Sequence, residues 1–398
     1  MPRVPRVCVG WAGRAARALT TLVSASVLAA GALTLAPAPA RAEDVITTQE
    51  YFSYYHLDQA RAKGYTGKGV TIAVLDGAVN PNIPELKGAN ITDKSRCTIE
   101  EAPAGRSHAT AMASYLVAPA YGVAPDATLN TYQMSGSNST SAGSCNIGGD
   151  RLDTYDQIIN QAIDDGAQII SISSSAREDN EAIKWAIARA MSRGVIIVNS
   201  AGNEGKDSNA QQLSRWSGVV GVSAIAADGS FADYSSWGNG VTTAAFGGPV
   251  TVRDYGTGAV KTSRGTSAAT ALTSGLLALG RQKWPDATAN QLLQVVTKTG
   301  LNPNHEWNQY TGYGAVDLGA LVNTDPSQYP DENPLAQKEG GSSPTVDEVQ
   351  DYGDGLVDPR YVGAGESYTY RGVDPIVLDD RDIATPVHLG TSPRYHRK

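Results

Sequence analysis

Histidine, cysteine and phenylalanine are scarce in this chain, whose 398 residues hold five His, three Cys and three Phe. Cys97 and Cys145 have no Cys or His near them at ligand spacing, so a zinc-type site is not expected. A basic surplus is missing too: 32 Lys and Arg face 40 Asp and Glu, a net charge of −8. That balance argues against a nucleic-acid or anionic-membrane surface. Beyond about residue 35 no stretch approaches the roughly 20 apolar residues of a spanning helix. What is plentiful is Gly (42) and Pro (20), with 41% hydrophobic residues, the composition of a globular chain with many turns and long loops.

The first 42 residues read as a targeting segment. Arg3, Arg6, Arg14 and Arg17 form a basic start, an apolar stretch runs from about Leu19 to Leu35, and Ala40-Arg41-Ala42 is a small-x-small cleavage site. A membrane anchor is the competing reading. Thr20, Thr21, Ser24 and Ser26 interrupt the apolar run and Pro37 and Pro39 follow it, which favours a cleaved signal peptide and a secreted protein free of the membrane. Cleavage leaves 27 basic against 40 acidic residues, a net of −13. Cys8 leaves with the segment. In an oxidising compartment Cys97 and Cys145 most simply form one disulfide, two free thiols being the alternative.

Val70–Leu75 is a short β-branched run ending at Asp76-Gly77. A helical pattern follows over 150–165, closed by Gly166, then the apolar run Ile169–Ser173. Glu181–Arg193 repeats the helical spacing before Gly194, and Val195–Val198 is the next apolar run. Strand, helix, strand, helix, strand predicts a mainly parallel sheet flanked by helices, an α/β fold. Ligands of such sheets bind beyond the carboxyl ends of the strands. Asp76, Ser173–Ser175 and Asn203 fall at or just past those ends. Ser267–Leu279 and Ala289–Lys298 read as further helices. From 326 to 398 the chain is rich in Asp, Glu, Gly, Pro and Tyr without periodicity, and reads as a tail that is disordered or draped over the domain.

Hydrolysing an amide near neutral pH calls for a hydroxyl that loses its proton as it attacks, an imidazole that takes it, a carboxylate that orients the imidazole, and donors for the developing oxyanion. His108 lies in RSHATAMA, which opens a small-residue helix; alone it is an ordinary polar residue as readily as a base. Ser267 lies in RGTSAAT, where a plain N-cap is the competing role. Asn203, in SAGNEG after an apolar run, reads equally as a turn residue.

Together, in this order, Asp76 after a buried strand, His108, Asn203 in AGNEG and Ser267 in GTSAA resemble the subtilisin-like serine peptidases, the subtilases of peptidase family S8. The order differs from those of chymotrypsin-like enzymes and α/β-hydrolases, and no G-x-S-x-G surrounds Ser267, which disfavours an esterase of the latter kind. GYTGKGV before the first strand, GVAP at 122–125, FADYSSWG at 231–238 and GYGAVD at 312–317 add to the resemblance, which spans about residues 50 to 323. It implies a three-layer subtilisin-like fold over 67–325, with Ser267 as nucleophile, His108 as general base, Asp76 as orienting carboxylate and Asn203 as oxyanion donor. Peptide would lie against Ser173, Ser174, Ser175 and Gly202. Polypeptides are the implied substrates, with no cofactor for the chemistry and a monomeric, secreted enzyme.

Departures from the family pattern mark a divergent member. Ala109 replaces the usual Gly after the histidine, Ala271 the usual Pro, Gly77-Ala78 the usual small polar residue and Gly, and Ser174-Ser175 the common Leu-Gly. A weak or inactive peptide-binding subtilase is the alternative function. Glu85 falls where relatives carry a calcium-binding Asp, but the partner loop is missing, so no strong calcium site is expected; Asp93, Asp126 and Asp207 are the acids left for a weak one. Residues 43–66 are too few for the family's usual inhibitory prodomain. Actinobacterial mycosin-type subtilases share that trait, but they carry a C-terminal membrane helix, for which this chain has no counterpart.

Overall fold

The computed structural model describes residues 45–134, 139–141, 145–147, 150–174, 181–207, 212–303, 306–338 and 342–354. The expected signal segment, Ser175 and the stretch after residue 354 lie outside them.

The strands in chain order are β1 (Thr71–Asp76), β2 (Ile91–Asp93), β3 (Glu100–Glu101), β4 (Thr128–Gln133), β5 (Ser139–Ser141), β6 (Asn146–Ile147), β7 (Asp150–Arg151), β8 (Ile169–Ile172), β9 (Ile196–Ser200), β10 (Val219–Ile225), β11 (Val241–Phe246), β12 (Val250–Arg253) and β13 (Val260–Ser263). The helices are α1 (Glu50–Tyr54), α2 (Leu57–Ala62), α3 (Pro103–Val117), α4 (Tyr155–Asp164), α5 (Glu181–Ser192), α6 (Thr266–Lys283), α7 (Ala289–Thr299), α8 (Leu318–Asn323) and α9 (Val346–Gly353). Seven strands form one parallel sheet in the order β11-β10-β9-β8-β1-β4-β2. The fold is α/β, a parallel sheet flanked by helices, as the sequence predicts.

The sheet is covered on both faces, which is why its strands read as continuous apolar runs rather than as alternation. On β1, Ile72 and Val74 enter the core shared with α3 and α6, while Ala73 and Leu75 enter the core shared with α4 and α5. All four are at most 2% exposed, and each large one contributes roughly 1.5–3 kcal/mol of apolar burial. Helix α6 is buried nearly all round, from Ala268 to Gly280, as befits a central helix. Its Gly275 lets Val123 approach, since a Cβ there would lie 2.6 Å from Val123 Cβ.

Segments on either side of the sheet-forming region pack on the domain. Residue 46 donates its N–H to Glu85 at 2.9 Å, and Gln49 exchanges two hydrogen bonds with the Thr251 backbone. Beyond 325, where the sequence shows no periodicity, Leu335 and Lys338 are buried. Helix α9, held by a Thr345–Glu348 capping box, lays Val349 and Tyr352 against Trp185 of α5. Among the described residues, no helix is long and apolar enough to cross a membrane.

Candidate active site

Asp76 is the last residue of β1 and is 7% exposed. Its Oδ1 accepts the Gly77 N–H at 2.8 Å. His108 Nδ1 lies 3.0 Å from Oδ1 and 2.9 Å from Oδ2. The contact fixes the ring with Nδ1 toward the carboxylate, leaving Nε2 as the basic atom. The supporting helix α3 starts at Pro103, whose fixed φ suits a first turn; His108 therefore sits in the second turn rather than at the helix opening expected from the sequence. Burial pushes the imidazole pKa down, but the Asp76 charge and hydrogen bond and the nearby Glu101 charge outweigh it, so the net shift is upward.

Ser267 is the second residue of α6. No side chain caps that helix, so the plain N-cap role does not hold. Instead its hydroxyl donates to the Ser173 carbonyl at 2.9 Å, and the Ser173 hydroxyl donates to the Ser267 carbonyl at 3.1 Å. A hydroxyl carries a single proton, so in this state it is not offered to His108. Helix α6 packs against both α3 and β8, which sets the serine-bearing and histidine-bearing helices side by side.

Asn203 is not merely a turn residue. Its Oδ1 accepts from the Thr266 N–H at 2.8 Å and the Thr266 hydroxyl at 3.0 Å. With the oxygen engaged twice, the amide NH2 is the end left to serve a ligand beside Ser267. Gly202 before it has φ +105°, a conformation suited to glycine, and a Cβ there would meet Glu204 Oε2 at 2.6 Å.

The edge expected to hold peptide is pinned from behind. Asn199 Nδ2 donates to the Ile172 carbonyl at 2.9 Å and the Ser174 carbonyl at 3.0 Å, while Ser174 Oγ pairs with Tyr155 OH at 3.0 Å. Asn199 escaped the sequence reading, although a fully buried amide interrupting the IIVNS strand is a signal for such a brace. Glu101 escaped it as well: its Oε2 accepts the Ala78 N–H at 2.9 Å, next to Asp76.

Glu85 is not a free cation ligand. It is buried and paired with Arg253, Nη2 to Oε1 at 2.6 Å. Among the described residues no three His, Cys, Asp or Glu side chains cluster to hold a metal. Cys97 and Cys145 are joined in a disulfide, with Cα atoms 5.0 Å apart.

An Asp–His pair at the carboxyl end of a parallel strand, a serine starting a neighbouring helix and an amide clamped beside that serine are the kinds of group a serine hydrolase employs. Residues 67–314 match the subtilase family (Peptidase S8), and the chain belongs to that family of serine peptidases. Subtilases need no cofactor for catalysis. The chain is 29% identical over 254 residues to a thermostable alkaline protease of Halalkalibacterium halodurans, covering 62% of this chain and 66% of that protein. It is 32% identical over 239 residues to mycosin-4 of Mycobacterium tuberculosis, covering 51% of this chain and 52% of that one. The match thus spans between about half and two thirds of these relatives' length. Among solved structures, MycP1 from Mycobacterium smegmatis superposes with a TM-score of 0.58 at 24% identity, covering 76% of this chain and 91% of that one, a likeness of fold.

Proposed function

We propose that this chain is a secreted serine endopeptidase that cleaves polypeptides through an acyl-enzyme on Ser267. The observation that carries the reading is the Asp76–His108 contact at 2.9–3.0 Å beyond the end of β1. For reaction, the Ser267 hydroxyl leaves the Ser173 carbonyl and donates to His108 Nε2. Its oxygen attacks the scissile carbonyl as the imidazole takes the proton. Asp76 steadies the resulting imidazolium, which then protonates the leaving amine; water repeats the sequence to release the acyl group. The Asn203 amide and the Ser267 N–H receive the oxyanion, each such donor being worth roughly 3–4 kcal/mol in the transition state. Substrate adds as an extended strand along Ser173 and Ser174, with Gly202 completing the wall. The signal-like pattern of residues 1–42 and the Cys97–Cys145 disulfide support export.

A fluorophosphonate probe tests the reading. Labelling of the wild-type protein that disappears in Ser267→Ala is the expected result. Folded wild-type protein that stays unlabelled and leaves a denatured polypeptide uncut would overturn it in favour of a non-catalytic peptide binder.

A further inference from the structure

The turn after Asp76 carries no side chain at Gly77, and the first turns of α3 carry none at Gly105. One carboxylate fills the niche that these two glycines leave. A Cβ on either would overlap the carboxylate of Glu101. The residue is held there from several directions. Its Oε2 accepts the Ala78 N–H at 2.9 Å. Two residues upstream, the N–H of Ile99 donates to Gln133 Oε1 at 3.2 Å. Cys97, bonded to Cys145, anchors the start of the loop.

The niche adjoins the Asp76–His108 pair. Facing the Glu101 carboxylate are Asp76 from β1 and Arg106 and His108 from α3. Arg106 counters some of the negative charge, but it is also engaged by the loop after β12: its Nη1 donates to Tyr255 OH at 2.9 Å, and its guanidinium lies 5.2 Å from the centre of that ring. Burial and the Asp76 charge raise the Glu101 pKa against the Ala78 hydrogen bond, Arg106 and His108, with a net upward shift. In turn the Glu101 charge is one of the influences that raise His108. Gly77, lacking a side chain, leaves the niche to a carboxylate arriving from another part of the chain.

We infer that Glu101 is a positioning residue of the catalytic centre, a second carboxylate that fixes the turn after Asp76 and stabilises the imidazolium of His108. The inference rests on the peptidase reading only for its effect on rate. As Ser267 gives up its proton, positive charge develops on the imidazole, and a fixed negative charge beside it lowers the energy of that state. A glutamate that merely pinned the loop through Ala78 would be replaceable by any acceptor of the same shape.

Glu101→Gln separates the two roles, because the amide oxygen can still accept from Ala78 while the charge is gone. Two readouts are needed. In the first, the imidazole of His108 is titrated by NMR in Ser267→Ala protein, with and without Glu101→Gln. The midpoint is expected to move to lower pH when the charge is removed. An unchanged midpoint in a folded variant overturns the inference. In the second, the pH dependence of kcat/KM is followed in the active enzyme. The acidic limb is expected to move to lower pH, with kcat on its plateau about three- to tenfold lower and KM little changed. A profile that superimposes on that of the wild type overturns it. If Glu101→Gln fails to fold, Gly105→Ala displaces the carboxylate without deleting it; the His108 midpoint is then expected to fall in the same direction, and an unmoved midpoint again counts against the inference. Should the wild-type protein prove inactive, the peptidase reading fails, while the NMR titration still decides whether Glu101 acts on His108.

Discussion

Ser173 and Ser267 are bonded in both directions, hydroxyl to carbonyl at 2.9 Å one way and 3.1 Å the other. The pair ties the end of β8 to the start of α6, and with it the expected substrate edge to the expected nucleophile. The bond that holds the Ser267 proton uses the Ser173 main chain, so it survives any side-chain change at 173. Ser173→Ala deletes only the weaker partner. It is expected to cost about 1 kcal/mol in urea unfolding and to keep fluorophosphonate labelling and most of kcat. Complete loss of labelling in a folded Ser173→Ala protein would contradict this division.

Asn203 offers a sharper test, because its two ends have different jobs. Asn203→Ala is expected to lower kcat by about 10²–10³-fold with little change in KM, the size of effect for a single oxyanion donor. Asn203→Asp keeps an oxygen for the Thr266 N–H and hydroxyl but has no amide donor. It is expected to be as slow as the alanine variant while unfolding closer to the wild-type temperature. A fast Asn203→Asp enzyme in steady-state assays would remove Asn203 from the oxyanion site.

The buried Glu85–Arg253 pair joins the connection between β1 and β2 to the hairpin of β12 and β13, and Glu85 also accepts the residue 46 N–H from the segment before α1. Removing one partner leaves the other charge uncompensated in the interior, so Glu85→Gln is expected to destabilise by roughly 3–5 kcal/mol. Burial raises the Glu85 pKa, but Arg253 and the residue 46 N–H outweigh it and the net shift is downward. Its stabilising contribution is therefore present above the ordinary glutamate range and is lost as the pH falls through the depressed value. Because Arg253 already occupies the carboxylate, chelation with EDTA is expected to leave the thermal midpoint unmoved; a fall on chelation that calcium reverses would refute this.

Lys338 is buried, and among the described residues no carboxylate pairs with it. Its ammonium donates to the Ser214 carbonyl at 2.6 Å and the Gly240 carbonyl at 2.8 Å, and burial lowers its pKa to about 7. The folded state therefore disfavours the charged form. Stability is expected to rise between pH 7 and the ordinary lysine range near 10.5, because the unfolded chain binds the extra proton there, and this lysine adds no slope below about pH 7. Lys338→Met is expected to abolish that rise, a difference on the order of a few kcal/mol between the ends of the window. Urea midpoints measured across the window for both proteins check it; parallel curves would show that Lys338 does not titrate there.

How much of the site was legible in the sequence depends on how each residue is held. Asp76, Asn203 and Ser267 sit in compact local motifs, where glycine and small residues leave a mark on the chain itself. The strand runs announced the sheet because burial on both faces demands unbroken apolar sequence. The start of α3 lies three residues before the RSHATAMA run, since Pro103 opens the helix. Glu101 left almost no signal. Its niche is written only as missing side chains at Gly77 and Gly105, and only folding brings those to the same carboxylate. Residues 326–338 and 342–354 lack periodicity because single anchors hold them: Leu335, Lys338 and one short capped helix.

By itself the sequence determined the α/β architecture, the family and the identities of the expected reacting groups, because each of these is encoded by local pattern and chain order. Only the tertiary structure decided where the protons and charges stand: the Ser267 hydroxyl on Ser173, Arg253 on Glu85, and the Glu101 carboxylate beside Asp76 and His108. Those outcomes depend on distances between residues far apart in the chain, and hydrogen bonds and electrostatic attraction act through space rather than along the backbone.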